Sequence, residues 1–520
     1  MPPASLYDLI QDLPIQVARP GDPIIHDLTD DSRQLTSDSG WLFVHRRSDY
    51  PEDLASALHH SPAAILTTPD NQTNVREPIP LLLAEKIDQT LCGQLAERFF
   101  NHPAQTLTLA AVTGTNGKST TVILLQHLLQ SAGVTTGLLG TIHNDLISHR
   151  EPATLTTPGA IDLSRFLARI RDASGKACVY EASSHALHQQ RTDHLHPHIA
   201  IFTNLTQDHL DYHGDMTTYA AAKARLFESL SPNDHAILNA DDPHWPRMAR
   251  DCPAHLHLST LRSTQPDHHG FAITSTSRAT IHHRTITQTE ATLTGPWGTT
   301  RTNLPLLGDH NIANLLQSLA AATHLDHLPN NIDQALQATP PVPGRLEPIP
   351  NPDFPVANTA SLADFQQAHQ APAIFVDYCH TPDSIDHAAN TLRPLAPGRL
   401  IILFGCGGDR DKTKRLLMAT AAARHADALI ITSDNPRSED PQAIINDAIA
   451  GVPESIRPHT TTNPDRAAAI RQAILYAQPT DTILIAGKGH ETYQETQGVK
   501  HPFDDRQHAQ QTLEQRLQHS

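Results

Sequence analysis

The sequence has few cysteines, few aromatic residues and no long apolar run. Aromatic side chains make up 4% of its 520 residues, and its five cysteines are Cys92, Cys178, Cys252, Cys379 and Cys406. Their wide separation favours reduced thiols over a disulfide framework. No apolar run reaches the roughly 18 residues that a membrane-spanning helix needs, and the first residues lack the basic and apolar regions of a secretion signal. We therefore expect a cytoplasmic protein that is not inserted in a membrane.

Positive charge is scarce as well. The chain has 38 lysines and arginines against 55 aspartates and glutamates, a formal net charge of −17, which argues against a general nucleic-acid-binding surface. Histidine is abundant, with 35 residues, but the histidines are scattered and lack the spacing of metal ligands. We interpret most of them as surface residues, and we expect a small anionic substrate to need a local cluster of positive charge.

Length and apolar patterning predict an α/β protein with three domains. A single hydrophobic core rarely grows beyond roughly 250–300 residues, so a chain of 520 residues must be divided. Residues 1–105 alternate short apolar runs with polar helical stretches and predict a small N-terminal α/β domain. Residues 106–343 begin with a strand, a glycine loop and a long helix, and residues 344–520 form a third domain.

The third domain is predicted from four strand-like apolar runs, at 373–378, 400–405, 428–432 and 482–487. The stretches between them are long enough for crossover helices, which predicts a doubly wound parallel sheet of Rossmann type. Further upstream, the polar, threonine-rich stretch 277–306 predicts antiparallel strands, and the proline-rich stretch 339–355 is interpreted as a linker or hinge.

A glycine-rich turn, TGTNGKST at 113–120, lies between a strand-like run and a helix with apolar periodicity. Unpaired N–H groups and the helix dipole favour phosphate at such a helix N-terminus. Lys118 would neutralise phosphate charge and Ser119 would coordinate Mg²⁺. Val112 replaces the first glycine of the strict pattern, so a tight turn without a ligand is the alternative. The expected nucleotide-binding residues are Gly114, Thr115, Asn116, Gly117, Lys118, Ser119 and Thr120.

Together with EASSHAL (181–187), TNLTQDHLDYHG (203–214) and NADD (239–242), this turn resembles the central P-loop ATPase domain of the Mur ligases. These enzymes extend the peptide of bacterial cell-wall precursors, and the resemblance extends over about 107–510. It implies a mostly parallel sheet in the central domain and implies that Glu181 and His209 hold Mg²⁺ with Ser119. It also implies that Lys223 is the lysine that is carbamylated in this family and then ligates a second Mg²⁺. Without the resemblance, His209 and Lys223 would be interpreted as surface residues.

The same resemblance implies further ligand contacts outside the glycine-rich turn. Lys118, Glu181, His209 and Lys223 are expected to be catalytic. The nucleotide would also be contacted by Asn311, Arg345, Asp377 and His380. The UDP-muramoyl dipeptide would be held by Ser32, Thr156, Thr157, Ser183, Gln189 and Arg191.

The C-terminal motifs indicate which amino acid is added. Polar motifs follow the predicted strands: GCGGDRDK (405–412), SDNPR (433–437) and GKGHE (487–491). Ligands of parallel sheets bind at the carboxyl ends of the strands, so we expect one site. The motifs resemble those of the diaminopimelate-adding Mur ligases, which implies a pocket of Arg410, Asp434, Asn435, Arg437, Gly487 and Glu491. Diaminopimelate carries a carboxylate and an amine at its far end, and Arg437 would supply a bidentate cation for that carboxylate.

The expected reaction has two steps. ATP phosphorylates the D-glutamyl γ-carboxylate of UDP-N-acetylmuramoyl-L-alanyl-D-glutamate, and an amine of meso-diaminopimelate attacks the acyl phosphate, with closure about the hinge excluding water. We expect a monomer that binds no nucleic acid. The alternatives are an L-lysine-adding or other Mur ligase, a folylpolyglutamate synthase, and a nucleotide-binding module without catalysis.

Overall fold

The computed structural model describes residues 4–36, 40–75, 78–350 and 371–518. The chain divides into two compact units, and each is described by itself. The first contains Met1–Ser259, Pro266–Ser277 and Gln317–Asn330, and the second contains Thr260–Gln265, Arg278–Leu316 and Asn331–Ser520. Residues 351–355 of the predicted linker lie outside the described residues. No helix in the described part of the chain is both long and apolar enough to cross a bilayer.

The first unit begins with a small mixed sheet. Its strands are hydrogen-bonded in the order Gln16–Arg19, Leu81–Leu83, Ala64–Thr67, Trp41–Val44 and Asp27–Thr29. The first pair is antiparallel and the others are parallel. Strands such as Ala64–Thr67 are buried along their whole length, so apolar side chains cover both faces. A short antiparallel pair, Ala4–Ser5 with Ile24–Ile25, lies outside this sheet.

The helices around this sheet are Leu6–Ile10, Pro51–His59, Gln89–Phe99 and Pro103–Thr106, with 3₁₀ turns at Ser32–Gln34 and Pro69–Asn74. The helix Gln89–Phe99 places Leu91, Leu95 and Phe99 in one buried core with the apolar strand residues. The prediction of an N-terminal α/β fold is therefore confirmed.

A second, larger sheet forms the rest of the first unit. The strand Thr108–Thr113 lies between Ala177–Glu181 and Ile199–Phe202, and both pairings are parallel. In the first unit, the other strands of this sheet are Arg150–Pro152, His143–Asp145 and Thr136–Leu139 on one side, and His235–Asn239 and His255–Thr260 on the other. Its helices are Lys118–Ser131, Ala160–Asp172, Ser184–His188, Leu210–His213, Met216–Glu228 and Trp245–Ala249. The mostly parallel sheet predicted for the central domain is therefore confirmed.

The threonine-rich stretch forms antiparallel strands, as predicted. Ile273–Arg284 begins in the first unit and continues in the second, where it pairs with Thr289–Gly295, which pairs in turn with Gly298–Leu304. The helix Asp309–His324 also begins in one unit and ends in the other, and Ile332–Gln337 follows it.

The second unit contains the C-terminal sheet. Its strand order is Glu347–Pro348, Ala373–Asp377, Thr482–Ala486, Leu400–Cys406, Ala428–Ser433 and Thr460–Asn463, parallel except for the first pair. Helices Pro382–Leu392, Thr413–Ala423, Pro441–Ile449, Arg466–Tyr476 and Asp505–Gln518 alternate with the strands. 3₁₀ turns at Arg393–Leu395 and Arg457–His459 and a hairpin, Tyr493–Thr496 with Val499–Pro502, complete the unit.

The four predicted parallel strands are all present, but the sequence analysis missed a fifth. Thr460–Asn463 has the sequence TTTN and lies at the edge of the sheet. It has no apolar run because its residues are exposed or only half-buried. Apolar patterning therefore detects the interior strands of this sheet and not its polar edge.

Candidate functional site

The glycine-rich turn joins the strand Thr108–Thr113 to the helix Lys118–Ser131. Gly117 stands directly before the helix with a φ of 86°, and Gly114 has a φ of 153°. A Cβ atom on Gly114 would lie 1.9 Å from Oγ1 of Thr203. Both the backbone angle and the close approach require glycine at this position.

A neighbouring segment holds this turn in place. Oγ1 of Thr203 donates a hydrogen bond to the carbonyl of Asn116 at 2.5 Å, and the backbone N–H of Asn116 donates to Oδ1 of Asn204 at 2.9 Å. The N–H of Thr206 donates to Oγ1 of Thr115 at 3.0 Å. The first four residues of the motif TNLTQDHLDYHG therefore have a physical role, because they fix the shape of the glycine-rich turn.

Two lysines meet at the carbonyl of Gly114. Nζ of Lys118 donates to it at 3.0 Å, and Nζ of Lys223 donates to it at 2.8 Å. Lys223 belongs to the helix Met216–Glu228, is 1% exposed and lies 4.5 Å from the centroid of the Tyr219 ring. The interpretation of Lys223 as a solvated lysine, which the sequence alone favoured, is therefore wrong.

The environment of Lys223 also changes its proton affinity. Burial lowers the pKa of Lys223 well below its ordinary value, Lys118 lowers it further, and Asp208 partly opposes both. A buried amine next to another cation is easier to deprotonate. The structure therefore combines a fixed cation, Lys118, with an amine that readily loses its proton.

Glu181 ends the strand Ala177–Glu181 and is 1% exposed. Its Oε1 accepts from the N–H of Thr141 at 2.8 Å, and its Oε2 accepts from Oγ1 of Thr141 at 3.0 Å. A Cβ atom on Gly140 would come within 2.6 Å of Oε1. The carboxylate is therefore fixed by Thr141, a residue that the sequence analysis missed.

His209 lies beside an acidic residue and a second histidine. It stands beyond the strand Ile199–Phe202, directly before the short helix Leu210–His213, with a φ of 53°. Its Nε2 lies 3.6 Å from Oδ2 of Asp208, and its ring centroid lies 4.8 Å from that of His185. Burial lowers the pKa of His209, and Asp208 opposes this effect. The imidazole is therefore mainly neutral near pH 7.

Magnesium needs fewer protein ligands than a structural metal site. The described residues contain no group of three or more His, Cys, Asp or Glu side chains arranged to hold a metal. Mg²⁺ is usually bound through one or two carboxylates together with substrate phosphates, not by a complete protein cage. The Ser119 hydroxyl and the Glu181 carboxylate fit that requirement, whereas imidazole is a less usual ligand for Mg²⁺.

Five residues assigned to the dipeptide lie close to Glu181. Oγ1 of Thr157 donates to the Glu181 carbonyl at 2.7 Å and accepts from the Ser183 N–H at 3.0 Å. Nη1 of Arg191 donates to the Thr157 carbonyl at 2.8 Å, and its Nη2 donates to Oε1 of Gln189 at 2.6 Å. The fifth residue is Thr156, whose Oγ1 lies 3.0 Å from Oγ1 of Thr141.

Ser32 belongs to a different part of the first unit. It begins the 3₁₀ turn Ser32–Gln34, is buried, and follows Asp31, whose carboxylate pairs with Arg33. Arg46, paired with Asp30 at 2.7 Å, is close enough to lower the pKa of Arg191, after the larger effect of burial. Arg46 is not among the residues predicted from the sequence.

In the second unit, three of the expected nucleotide residues lie together. Both oxygens of the buried Asp377 carboxylate accept backbone N–H groups, from Leu346 at 2.6 Å and from Cys379 at 2.7 Å. Burial raises the pKa of Asp377, and Arg345 opposes this. The Arg345 guanidinium lies 4.8 Å from the ring centroid of Tyr378, whose carbonyl is 2.9 Å from Nδ1 of His380.

Asn311, the fourth of these residues, is placed by the helix Asp309–His324. It is buried, and its Nδ2 donates to the Leu307 carbonyl at 2.8 Å. The hydrogen bond fixes the side chain against the preceding turn.

Arg437 is restrained by two segments of the second unit. Its Nη1 donates to the Gly408 carbonyl at 2.6 Å, and its Nε lies 3.5 Å from Oε2 of Glu495. Its backbone N–H donates to the Glu495 carbonyl at 3.1 Å, and its φ is 50°. A Cβ atom on Gly407 would lie 3.1 Å from Nη1 of Arg437 and 3.8 Å from Cγ of Arg410. The two arginines therefore flank Gly407.

The other expected amino-acid-binding residues surround Lys488. Oε2 of Glu491 accepts from Nδ2 of Asn435 at 2.9 Å, and Nζ of Lys488 lies 3.0 Å from that same oxygen. A Cβ atom on Gly487, which has a φ of 117°, would lie 3.0 Å from Oδ2 of Asp434. The structure therefore brings all six predicted residues of this pocket into one region and adds Lys488, which stands inside the quoted GKGHE motif.

A buried ion pair connects two of the strands that end at this pocket. Arg466 pairs with Asp505 at 2.7 Å, and neither side chain is exposed. Arg466 also donates to the carbonyls of Ser433 at 3.3 Å and Ala486 at 3.0 Å. Those carbonyls directly precede Asp434 and Gly487. No local sequence pattern predicts this pair, because its members are 39 positions apart along the chain.

This chain is similar to known proteins over most of its length. The family models described as "Mur ligase middle domain" and "Mur ligase, glutamate ligase domain" match residues 112–322 and 365–489. UDP-N-acetylmuramoyl-L-alanyl-D-glutamate–2,6-diaminopimelate ligase of Synechococcus elongatus is 41% identical over 98% of this chain and 99% of its own. The protein of that name from Thermosynechococcus vestitus is also 41% identical, over 89% of this chain and 87% of its own. A solved structure with that name has a TM-score of 0.64 and 28% identity, with all of both chains covered.

Proposed function

Because the chain belongs to the Mur ligase family and is an ATP-dependent, amide-bond-forming ligase, we propose that it adds meso-2,6-diaminopimelate to UDP-N-acetylmuramoyl-L-alanyl-D-glutamate. The bond forms at the D-glutamyl γ-carboxylate, with release of ADP and phosphate, in peptidoglycan precursor synthesis. The observation that best supports this amino-acid substrate is the restrained position of Arg437. Its Nη1 donates a hydrogen bond to the Gly408 carbonyl, and Asp434 and Asn435 precede it in the same loop.

The amino-acid pocket has the charges that this substrate requires. Arg437 and Arg410 supply cations for the far carboxylate, and arginine binds a carboxylate through two parallel hydrogen bonds. Asp434 and Glu491 supply acceptors for the far amine. L-Lysine lacks the far carboxylate, so it would form no ion pair with Arg437, whose half-buried guanidinium would keep only Gly408 and Glu495 as partners.

On the nucleotide side, Lys118 at the helix N-terminus neutralises phosphate charge while the γ-phosphoryl group is transferred to the glutamyl carboxylate. Asn311, Arg345, Asp377 and His380 are assigned to the nucleotide by family resemblance. Ser119, Glu181 and His209 would hold Mg²⁺, which stabilises the charge that develops on the transferred group. Glu181 is held by Thr141 in a fixed orientation for this role.

Lys223 is proposed to act as a carbamate. Its neutral amine attacks CO₂, a C–N bond forms as one C–O π bond breaks, and a proton is released. The neutral amine thereby becomes an anionic carbamate that can ligate a metal. The lowered pKa of Lys223 supports this step, since only the free amine is a nucleophile. The resulting carbamate would lie near Lys118. The positive charge of Lys118 disfavours a protonated Lys223 and would favour a negatively charged carbamate at the same place.

The acceptor substrate is assigned to the first unit. Thr156, Thr157, Ser183, Gln189 and Arg191 form one hydrogen-bonded group next to Glu181, which supports a place for the dipeptide near the catalytic carboxylate. Ser32 is proposed to contact the uridine end. We further propose the three-domain division 1–105, 106–343 and 344–520, a monomeric state and a cytoplasmic location.

The test is the substrate dependence of ADP release. The purified chain is assayed with ATP and Mg²⁺ in the presence of both the UDP-muramoyl dipeptide and diaminopimelate, and with either one omitted. We expect ADP release only with both substrates, together with a product whose mass equals that of the joined compounds less one water. ADP release that is independent of the dipeptide, or none at all, would refute the proposal and favour a nucleotide-binding module without this activity.

A further inference from the structure

Lys488 is a buried cation in the amino-acid pocket. It has an exposed fraction of 0% although it stands in a loop between the strands Thr482–Ala486 and Tyr493–Thr496. We propose that Lys488 is a positioning residue that fixes the acceptor oxygens of this pocket and thereby sets its affinity for the far amine of the amino-acid substrate. This inference rests on the proposed function, since it concerns the same pocket.

The ammonium group contacts three residues of the pocket at once. Its Nζ lies 3.0 Å from Oδ1 of Asn435, 3.0 Å from Oε2 of Glu491 and 3.5 Å from Oδ1 of Asp434. An ammonium has three donors and no acceptor. All three donors are therefore directed at residues assigned to the substrate, and the nearby Tyr493 ring, 5.5 Å away at its centroid, adds only a weaker attraction.

These bonds determine the orientation of each partner. Oδ1 of Asn435 accepts from Lys488 and from the Glu495 N–H at 2.9 Å, so Nδ2 must point to Glu491. Lys488 engages one oxygen of each carboxylate, Oδ1 of Asp434 and Oε2 of Glu491. The second oxygens, Oδ2 and Oε1, are not the ones that Lys488 contacts, and we assign them to the substrate ammonium. Oδ2 of Asp434 faces Gly487, where the absence of a side chain keeps the approach open.

Charge balance supports the same role. Asp434, Glu491 and Glu495 place three carboxylates around the two cations Lys488 and Arg437. Removing Lys488 would leave the carboxylates of Asp434 and Glu491 to repel each other, so they would separate or rotate. A buried cation is costly unless it is paired and hydrogen-bonded. A lysine placed here only to fill space would therefore be less favourable than an apolar side chain.

The experiment compares Lys488→Met, which keeps the length of the side chain and removes its charge, with Lys488→Arg, which keeps the charge. Lys500→Met is the matched control. Lys500 is exposed and lies 4.2 Å from the centroid of the same Tyr493 ring, on the opposite strand of the hairpin. KM and kcat are measured for diaminopimelate, ATP and the UDP-muramoyl dipeptide, and thermal unfolding is recorded for each variant.

We expect Lys488→Met to raise the KM for diaminopimelate about 10- to 100-fold, the range for hydrogen bonds to charged groups. Its kcat should stay within about threefold, because the lost contact acts in ground-state binding. The KM values for ATP and for the dipeptide should not change. Lys488→Arg should recover part of the affinity for diaminopimelate, and Lys500→Met should resemble the wild type.

A double-mutant cycle gives a second readout. If Lys488 acts by orienting Glu491, then Glu491→Gln combined with Lys488→Met should weaken diaminopimelate binding by less than the product of the two single effects. An unchanged KM in Lys488→Met, equal loss for all three substrates, or unfolding of both Lys488 variants would overturn the inference in favour of a merely structural lysine. Failure of the wild type to use diaminopimelate would instead refute the proposed function.

Discussion

Breaking the buried ion pair of Arg466 and Asp505 should destabilise the second unit and weaken its amino-acid pocket. Both side chains have exposed fractions of 0%, and Asp505 accepts from Nε and from Nη2 of Arg466, each at 2.7 Å. The pairing is therefore bidentate and fully removed from water. The same guanidinium holds the carbonyls of Ser433 and Ala486 at the ends of two strands.

The substitution Asp505→Asn removes the negative charge and leaves Arg466 as a buried cation. Removing one partner of a buried pair costs about 3–5 kcal/mol of unfolding free energy. Because Asn keeps the shape of the side chain and one acceptor oxygen, we expect the free energy of unfolding to fall by about 3 kcal/mol. Urea unfolding followed by circular dichroism measures this loss, and assays at saturating ATP measure the accompanying rise in the KM for diaminopimelate.

The matched control is Asp386→Asn. Asp386 pairs with Arg424 at 3.4 Å, and these side chains are 35% and 64% exposed, so the expected loss is only about 0–1 kcal/mol. If Asp505→Asn destabilised the protein no more than this control, the burial argument would be refuted. A large loss of stability with an unchanged KM for diaminopimelate would refute the link between Arg466 and the pocket.

Three further predictions concern the first unit. Gly114→Ala should lower ADP release about 100-fold, because the new methyl group would meet Oγ1 of Thr203 and displace the loop. A displacement of roughly 1 Å in a catalytic group has an effect of this size. A rate near that of the wild type would contradict the loop geometry. The ligase rate should fall in CO₂-free buffer and recover with bicarbonate, whereas Lys223→Gln should be inactive in both; equal wild-type rates would argue against the carbamate. Burial and His324 lower the pKa of His257 to about 3, below its ordinary value of 6.5. The unfolded state therefore binds the proton first, and the contribution of His257 to stability should be complete above about pH 6.5 and be lost progressively below it. Urea unfolding between pH 7.5 and 5 checks this, and His257→Gln should show a smaller pH dependence; identical slopes would exclude His257 as a source.

Much of the fold could be predicted from local patterns. The interior strands of the C-terminal sheet are continuous apolar runs because both of their faces are buried, and the glycine-rich turn has a fixed spacing because Gly114 and Gly117 need unusual backbone angles. The edge strand Thr460–Asn463 could not be found in this way, since its polar residues remain partly in water.

The proximity of the candidate residues could be predicted where motifs follow strand ends, as at Asp434, Arg437 and Glu491. The sequence could not show the burial of Lys223, because a helix reveals only which residues share a face and not how deeply that face is covered. Nor could it show that Lys488 contacts Asp434 and Asn435, or that Arg466 reaches Asp505. Each of these contacts joins residues that are distant along the chain and adjacent only after folding.

We propose that Arg437 makes this ligase selective for an amino acid with a far carboxylate. The test measures the ratio of kcat/KM for meso-diaminopimelate to that for L-lysine in the wild type and in Arg437→Met, with the exposed Arg424→Met as control. We expect the wild type and the control to prefer diaminopimelate strongly and Arg437→Met to lose at least about 10- to 100-fold of this preference, mainly through the KM for diaminopimelate. An unchanged ratio in Arg437→Met, or a wild type that prefers L-lysine, would contradict it.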